Sequence, residues 1–189
     1  MNRKTMMAAV AGAALAVASG TFASAEMMGN MHEKTTMVGG AAMYPSKNIV
    51  QNAVNSEEHT TLVAAVKAAD LVDTLSGAGP FTVFAPTNAA FAKLPAGTVD
   101  TLLKPENKAT LTKVLTYHVV AGKMSAADLT AKAKMGGKLT TVEGETLTLS
   151  QKGGALWLTD AKGGMARVTI ANVDQSNGMI HVVDTVLMP

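Results

Sequence analysis

The apolar residues of this 189-residue chain change period part-way along it, and that change limits the possible folds more than any other feature. Leu62, Val66 and Ala69 recur at i, i+4 and i+7, with Val63 widening the stripe and Leu71, Val72 and Leu75 extending it. This is the pattern of one amphipathic helix, stopped by Gly77-Ala78-Gly79-Pro80. Phe81-Thr82-Val83-Phe84 then alternates as a strand does, and Pro86 ends it. Thr87 or Asn88 can cap a short helix through Ala89, Ala90 and Phe91. Pro105 suits a first helical position, and Leu111, Val114 and Leu115 form a second stripe. Tyr117-His118-Val119-Val120 switches to strand chemistry, and Ser125 opens another short helix. From Lys138 onward the chain is cut into short strands by turn signals at Glu143-Gly144, Lys152-Gly153-Gly154, Asp160 to Gly164 and Ser176-Asn177-Gly178. Asn-Gly is the strongest short hairpin signal, since both residues tolerate positive φ. Helices first and strands mostly later predict an α+β domain, helices packed on an antiparallel-rich sheet.

The N-terminus reads as a secretory signal over residues 1–25. Arg3 and Lys4 are followed by the small, apolar run Ala8 to Val17, and Ala23-Ser24-Ala25 supplies the small-x-small cleavage pattern. The run is far short of the roughly 20 apolar residues a bilayer span needs, and no second stretch qualifies. The mature chain is therefore expected to begin at Glu26 and to leave the membrane, in an extracellular or periplasmic setting. Removing the signal takes away two of the 16 basic residues and none of the 14 acidic ones, which leaves the mature chain balanced. The basic excess that would point to nucleic acid lies in the discarded segment. There is no cysteine, so the fold must rest on a core, and 164 mature residues suffice for one. Residues 26–43 have no sustained period and end in small residues after a Gly-Gly pair, which predicts a flexible leader; the folded domain is expected over 44–189.

Three stretches carry a resemblance. Gly79 to Pro95 (GPFTVFAPTNAAFAKLP), the box Tyr117 to Val120 (YHVV) and the closing Asn177 to Pro189 (NGMIHVVDTVLMP) resemble, in order, the two signature stretches and the central Tyr-His box of the fasciclin domain. The likeness extends over residues 44–189. It implies a wedge of β-strands with helices packed on it, in a secreted or surface-attached protein that binds a cell-surface or matrix macromolecule. In adhesive members of the family, binding is attributed to the Tyr-His region and to an Asp-Ile-containing motif near the last stretch. Tyr117 and His118 match the first. Asn177, Gly178, Met179 and Ile180 stand where the acidic-isoleucine pair would be, and there is no Arg-Gly-Asp. Tyr117, His118, Asn177, Ile180 and Asp184 are the partner-contact candidates this resemblance implies.

No convergent catalytic chemistry is visible. G-x-S-x-G, H-E-x-x-H, Walker and G-x-G-x-x-G motifs are lacking, and His32-Glu33 is followed by Thr36 where a second zinc ligand would stand. His118 and His181 sit among large apolar residues, the setting of a core histidine with satisfied hydrogen bonds. The sequence is read as a binding protein, with no catalytic residue, cofactor or metal site assigned. The alternative is an exported copper or small-ligand binder using the leader, where Met27, Met28, Met31, Met37 and Met43 with His32 concentrate soft ligands.

Overall fold

A computed structural model describes residues 34–189. The signal segment, Met27, Met28, Met31 and His32 lie outside the described residues. The described residues begin with a hairpin, β1 (Thr36–Val38) and β2 (Ala41–Met43). Val38 and Met43 are buried in the core while Met37 is exposed. The last part of the expected leader is therefore built into the domain, because two apolar side chains on one face of a short hairpin are enough to dock it. Met43 is thereby withdrawn from any soft-ligand set.

A helical layer follows: α1 (Ile49–Ala53), a 3-10 turn at Glu57–His59, α2 (Thr60–Ala68) and α3 (Val72–Ser76). The single helix expected across 62–75 is broken at Asp70, whose φ is +56°. The Asp70 and Leu71 amides donate to the Lys67 and Val66 carbonyls, a Schellman closure with aspartate in the left-handed position glycine usually takes. Strand β3 (Phe81–Pro86) leads into α4 (Asn88–Ala92), capped by the Thr87 hydroxyl, which accepts from the Ala90 amide. Asn88 is not the cap; it accepts from the Thr61 amide and donates to the Glu57 carbonyl, tying α4 to the start of α2.

Next come α5 (Thr98–Leu102), a 3-10 turn opened by Pro105, α6 (Lys108–Tyr117) and β4 (Val119–Ala121). Tyr117 and His118 are thus not strand residues: Tyr117 completes α6 and His118 caps it. Helix α7 (Ala126–Lys134) starts at Ser125 with a reciprocal capping box to Asp128. The remainder is strands: β5 (Lys138–Thr140), β6 (Thr146–Lys152), β7 (Ala155–Thr159), β8 (Met165–Gln175) and β9 (Gly178–Val183).

Seven strands form one sheet in the order β4-β3-β9-β8-β7-β6-β5, antiparallel throughout except for the parallel pair β3 and β9. Its two outer strands approach each other. Val120 pairs with Thr141, and the Val142 amide donates to the Val119 carbonyl at 2.8 Å, so the sheet curls almost to closure. One apolar cluster lies between the sheet and helices α1 to α6. A second, built on Phe84, Tyr117, Leu129, Leu147, Leu158 and Leu187, fills the region under α7.

The parallel pair is what brings the first and last signature stretches together. Phe81 lies opposite Gly178, and the pairing runs in step to Pro86 opposite Val183. A methyl group at Gly178 would sit 2.0 Å from the Phe81 carbonyl oxygen, so the two backbones can meet only without a side chain there. This is also why the Asn-Gly pair is present. Neither residue adopts positive φ; the turn closes on Ser176 and Asn177, and the glycine serves close approach instead.

Candidate functional site

The Tyr-His box lies at the junction of α6 and β4, with the β7–β8 turn on one side and the C-terminal run on the other. The Tyr117 side chain is fully buried. Its hydroxyl accepts from the Ala161 amide at 3.0 Å and points at the Thr146 carbonyl, 3.4 Å away. His118 donates from Nδ1 to the Val114 carbonyl at 2.8 Å, one turn back along α6, and its Nε2 accepts from the Leu187 amide at 3.0 Å. Those two bonds fix the neutral Nδ1–H tautomer and leave neither nitrogen free.

Asp160 completes the arrangement. Its Oδ1 accepts from the Lys162 and Gly164 amides at 3.0 and 2.6 Å, and its Oδ2 accepts from the Met188 amide at 3.1 Å. Tyr117, His118 and Asp160 together hold the β7–β8 turn and Leu187–Met188 against the end of α6. Sequence reading marks Asp160 only as part of a turn. Its Asp-x-x-Gly-Gly context signals the local amide bonds, but nothing local signals the bond to residue 188.

The remaining candidates are also drawn inward. Asn177 bridges three elements: its Oδ1 accepts from the Ile49 amide at 3.1 Å, and its Nδ2 donates to the Leu75 and Gly77 carbonyls at 2.7 and 2.8 Å. Ile180 is a core residue of the central strand β9. Asp184 is half-buried; Oδ1 accepts from the Arg167 amide at 2.9 Å and the Thr185 hydroxyl at 3.0 Å, and Oδ2 lies 3.9 Å from Lys93 Nζ. Tyr117, His118, Asn177 and Ile180 are all buried, at most 6% exposed, which leaves little of them for the contact role the resemblance implies. Their polar atoms are used up in holding backbone together. Of the five, Asp184 is the most exposed, with 35% of its side-chain surface accessible.

Three histidines are buried neutral. Desolvation lowers the His118 imidazole to about 4, outweighing the Val114 carbonyl bond and the nearby Asp160 carboxylate, which both favour the charged form. Burial likewise lowers His59 and His181. His181 is held between the Met124 carbonyl, at 2.9 Å from Nε2, and the Asn172 amide, with its ring stacked on Phe84 at 5.8 Å between centroids. With both His118 nitrogens committed to backbone, the box has no group free to take a proton from a substrate.

The acid response follows directly. An unfolded His118 takes up a proton as pH falls through 6.5, whereas the folded one resists until about 4, so stability is lost progressively across that window. At about 1.4 kcal/mol per unit of pKa difference, His118 contributes a loss of about 3 kcal/mol. Urea unfolding midpoints should fall steadily from pH 7 to pH 4.5; a flat profile there would contradict the buried neutral imidazoles.

The profile of the Fasciclin domain matches residues 57–189. This chain belongs to the fasciclin domain family. It is 52% identical over 169 residues to Protein sll1483 of Synechocystis sp., covering 89% of this chain and 87% of that one. It is 43% identical over 142 residues to the Immunogenic protein MPB70 of Mycobacterium bovis, covering 72% and 66%, and 38% identical over 157 residues to the Cell surface glycolipoprotein MPB83 of the same species, covering 80% and 64%. Among solved structures, a FAS1 domain pair from the insect cell adhesion molecule Fasciclin I superposes with a TM-score of 0.68 at 18% identity, over 77% of this chain and 52% of that one. The chain thus spans about two thirds of the mycobacterial proteins and half of the insect pair. The α+β wedge expected from the resemblance is the fasciclin fold seen here. The most recognisable fasciclin residues in this chain are those that lock β3, β9 and the C-terminus together. No helix among the described residues is long and apolar enough to cross a membrane.

Proposed function

We propose that this fasciclin domain is an exported binding module that engages a cell-surface or matrix macromolecule and mediates adhesion. One observation carries the reading: the polar atoms of the Tyr-His box are bonded to backbone within the domain and are not held ready for chemistry. The names of its relatives, a cell surface glycolipoprotein and an insect cell adhesion molecule, support the same setting. The signal-like N-terminus supports export to periplasm or medium. The protein starting at Glu26 and coated on a surface should retain cells of its own source above an albumin control, and adhesion should be lost when the protein is unfolded and recoated. Equal retention on the control surface would contradict the proposal. Any truncation used in that assay must keep residues from Thr36 onward, because Val38 and Met43 belong to the core.

A further inference from the structure

The curled sheet has an outer face, on β5 to β8, whose composition differs from the rest of the molecule. Inward, Leu139, Leu147, Leu149 and Leu158 fill the core under α7. Outward, the register sets Ser150, Trp157 and Arg167 side by side across β6, β7 and β8. A second row sets Lys138 opposite Thr148, and Thr148 opposite Thr159. Lys152 projects at the β6–β7 end of the same face, exposed like Lys138 and Arg167. These three cations enter no salt bridge among the described residues; the Lys152 ammonium has only the Met165 sulfur, 3.9 Å away.

The carboxylates that flank these strands are already engaged. Glu143 and Glu145 pair with Lys113, Asp160 is spent on backbone amides, and Asp184 is taken by the Arg167 amide, Thr185 and Lys93. Ser150 Oγ and the Trp157 indole N–H are buried without a hydrogen-bond partner. These two residues face each other directly across β6 and β7. Both atoms lie out of a ligand's reach, but Ser150 and Trp157 are only partly buried as residues.

We infer that this face is the docking surface for an acidic polysaccharide, with Trp157 as the platform for a sugar ring and Lys138, Lys152 and Arg167 as the counter-charges. The inference rests on the binding-module reading and gives its partner a chemistry. An aromatic ring offers an apolar plane with a polar edge, which suits the apolar face and hydroxyl rim of a pyranose. Arg167 can grip a carboxylate or sulfate through two parallel N–H bonds, and the lysines supply point charges. With about 4.8 Å between strands and about 3.4 Å per residue, three strand spacings and a two-residue offset put Lys138 and Arg167 roughly 16 Å apart, a span suited to a polymer and too wide for a single anion. Single-stranded nucleic acid shares anionic charge and stacking with such a polymer. The balanced charge of the mature chain and its expected export favour the polysaccharide.

Trp157 is the chain's single tryptophan, so its fluorescence reports on this surface without a label. The protein starting at Glu26 is titrated with alginate, heparin, neutral dextran and an oligo-dT strand, alongside the triple variant Lys138→Ser, Lys152→Ser, Arg167→Ser. The expected result is a saturable emission change with alginate or heparin, weakened by salt, at least tenfold weaker in the triple variant and absent with dextran. Comparison of alginate with heparin distinguishes carboxylate from sulfate. All three substitutions are at exposed positions, and an unchanged urea midpoint verifies that the variant is folded. The inference is overturned if neither acidic polysaccharide changes the emission, if the triple variant binds them equally well, or if oligo-dT binds more tightly than both. Adhesion that survives in the triple variant overturns this surface and leaves the binding module standing; a parent protein that binds alginate but does not adhere overturns the adhesive reading and leaves the surface standing.

Discussion

Replacing Phe84 by alanine is expected to cost about 3–5 kcal/mol of unfolding free energy, the range for a large aromatic ring deleted from a core that cannot collapse around the gap. Phe84 is fully buried in the middle of β3, and its backbone amide donates to the His118 carbonyl at 2.8 Å. Its ring packs in the cluster under α7 with Tyr117, Leu129 and Leu187, and stacks on His181. Strands fix its backbone on both sides, β4 and β9, so relaxation into the cavity is restricted. For a domain of this size the loss corresponds to a fall of roughly 10 °C or more in the thermal midpoint. Phe91→Ala, in α4 on the other core cluster, should fall in the same range. A loss below about 1 kcal/mol for Phe84→Ala would show that its ring lies at the surface.

Asn177→Ala is the second large effect, and it acts by a different route. The substitution removes little volume but leaves the Ile49 amide and the Leu75 and Gly77 carbonyls without partners in a buried site. At about 1–3 kcal/mol for each stranded group, with carbonyls at the lower end, the expected cost is about 3–5 kcal/mol. Asn177→Asp separates this account from one based on shape. Aspartate keeps the size and the acceptor for Ile49 but turns a carboxylate oxygen toward two carbonyls. It should therefore be about as damaging as alanine at neutral pH and recover part of the loss on acidification. An aspartate variant as stable as the parent would show that the two carbonyl bonds contribute nothing.

Much of the architecture was legible because it depends on local pattern. Period, caps and turns placed β3, α4, α6, α7 and the five C-terminal strands, since stripes such as Leu111-Val114-Leu115 and glycines such as Gly144 and Gly153 act within a few residues. What was not legible depends on contacts far apart in the chain. Helices α1 and α5 are five residues each, too short to show a period, and are stable only because Ile49 and Leu102 are buried by distant partners. The 36–43 hairpin looked like a leader because only Val38 and Met43 dock it. Asp70 broke a continuous apolar stripe by adopting a backbone conformation that its residue type does not announce.

The site was only partly legible for the same reason. Tyr117, His118 and Asn177 are polar residues in recognisable motifs, which sequence alone cannot separate from contact residues. Their roles become plain only when the partners, Ala161, Leu187, Ile49, Leu75 and Gly77, are brought beside them by the fold. Trp157 and its basic neighbours carry no motif at all. They are joined by sheet register, and alternation within β6 and β7 hints only that Ser150 and Trp157 face outward.

The central claim is that the Tyr-His box secures the fold and does not touch the partner, and His118→Ala tests it most directly. The substitution strands the Leu187 amide and the Val114 carbonyl and opens a gap beside Tyr117, for an expected loss of about 2–4 kcal/mol. Urea melts and the adhesion assay should be run on the same preparations at neutral pH. The account predicts a lower unfolding midpoint together with adhesion that, per folded molecule, equals that of the parent. A His118→Ala protein as stable as the parent but unable to adhere would contradict it.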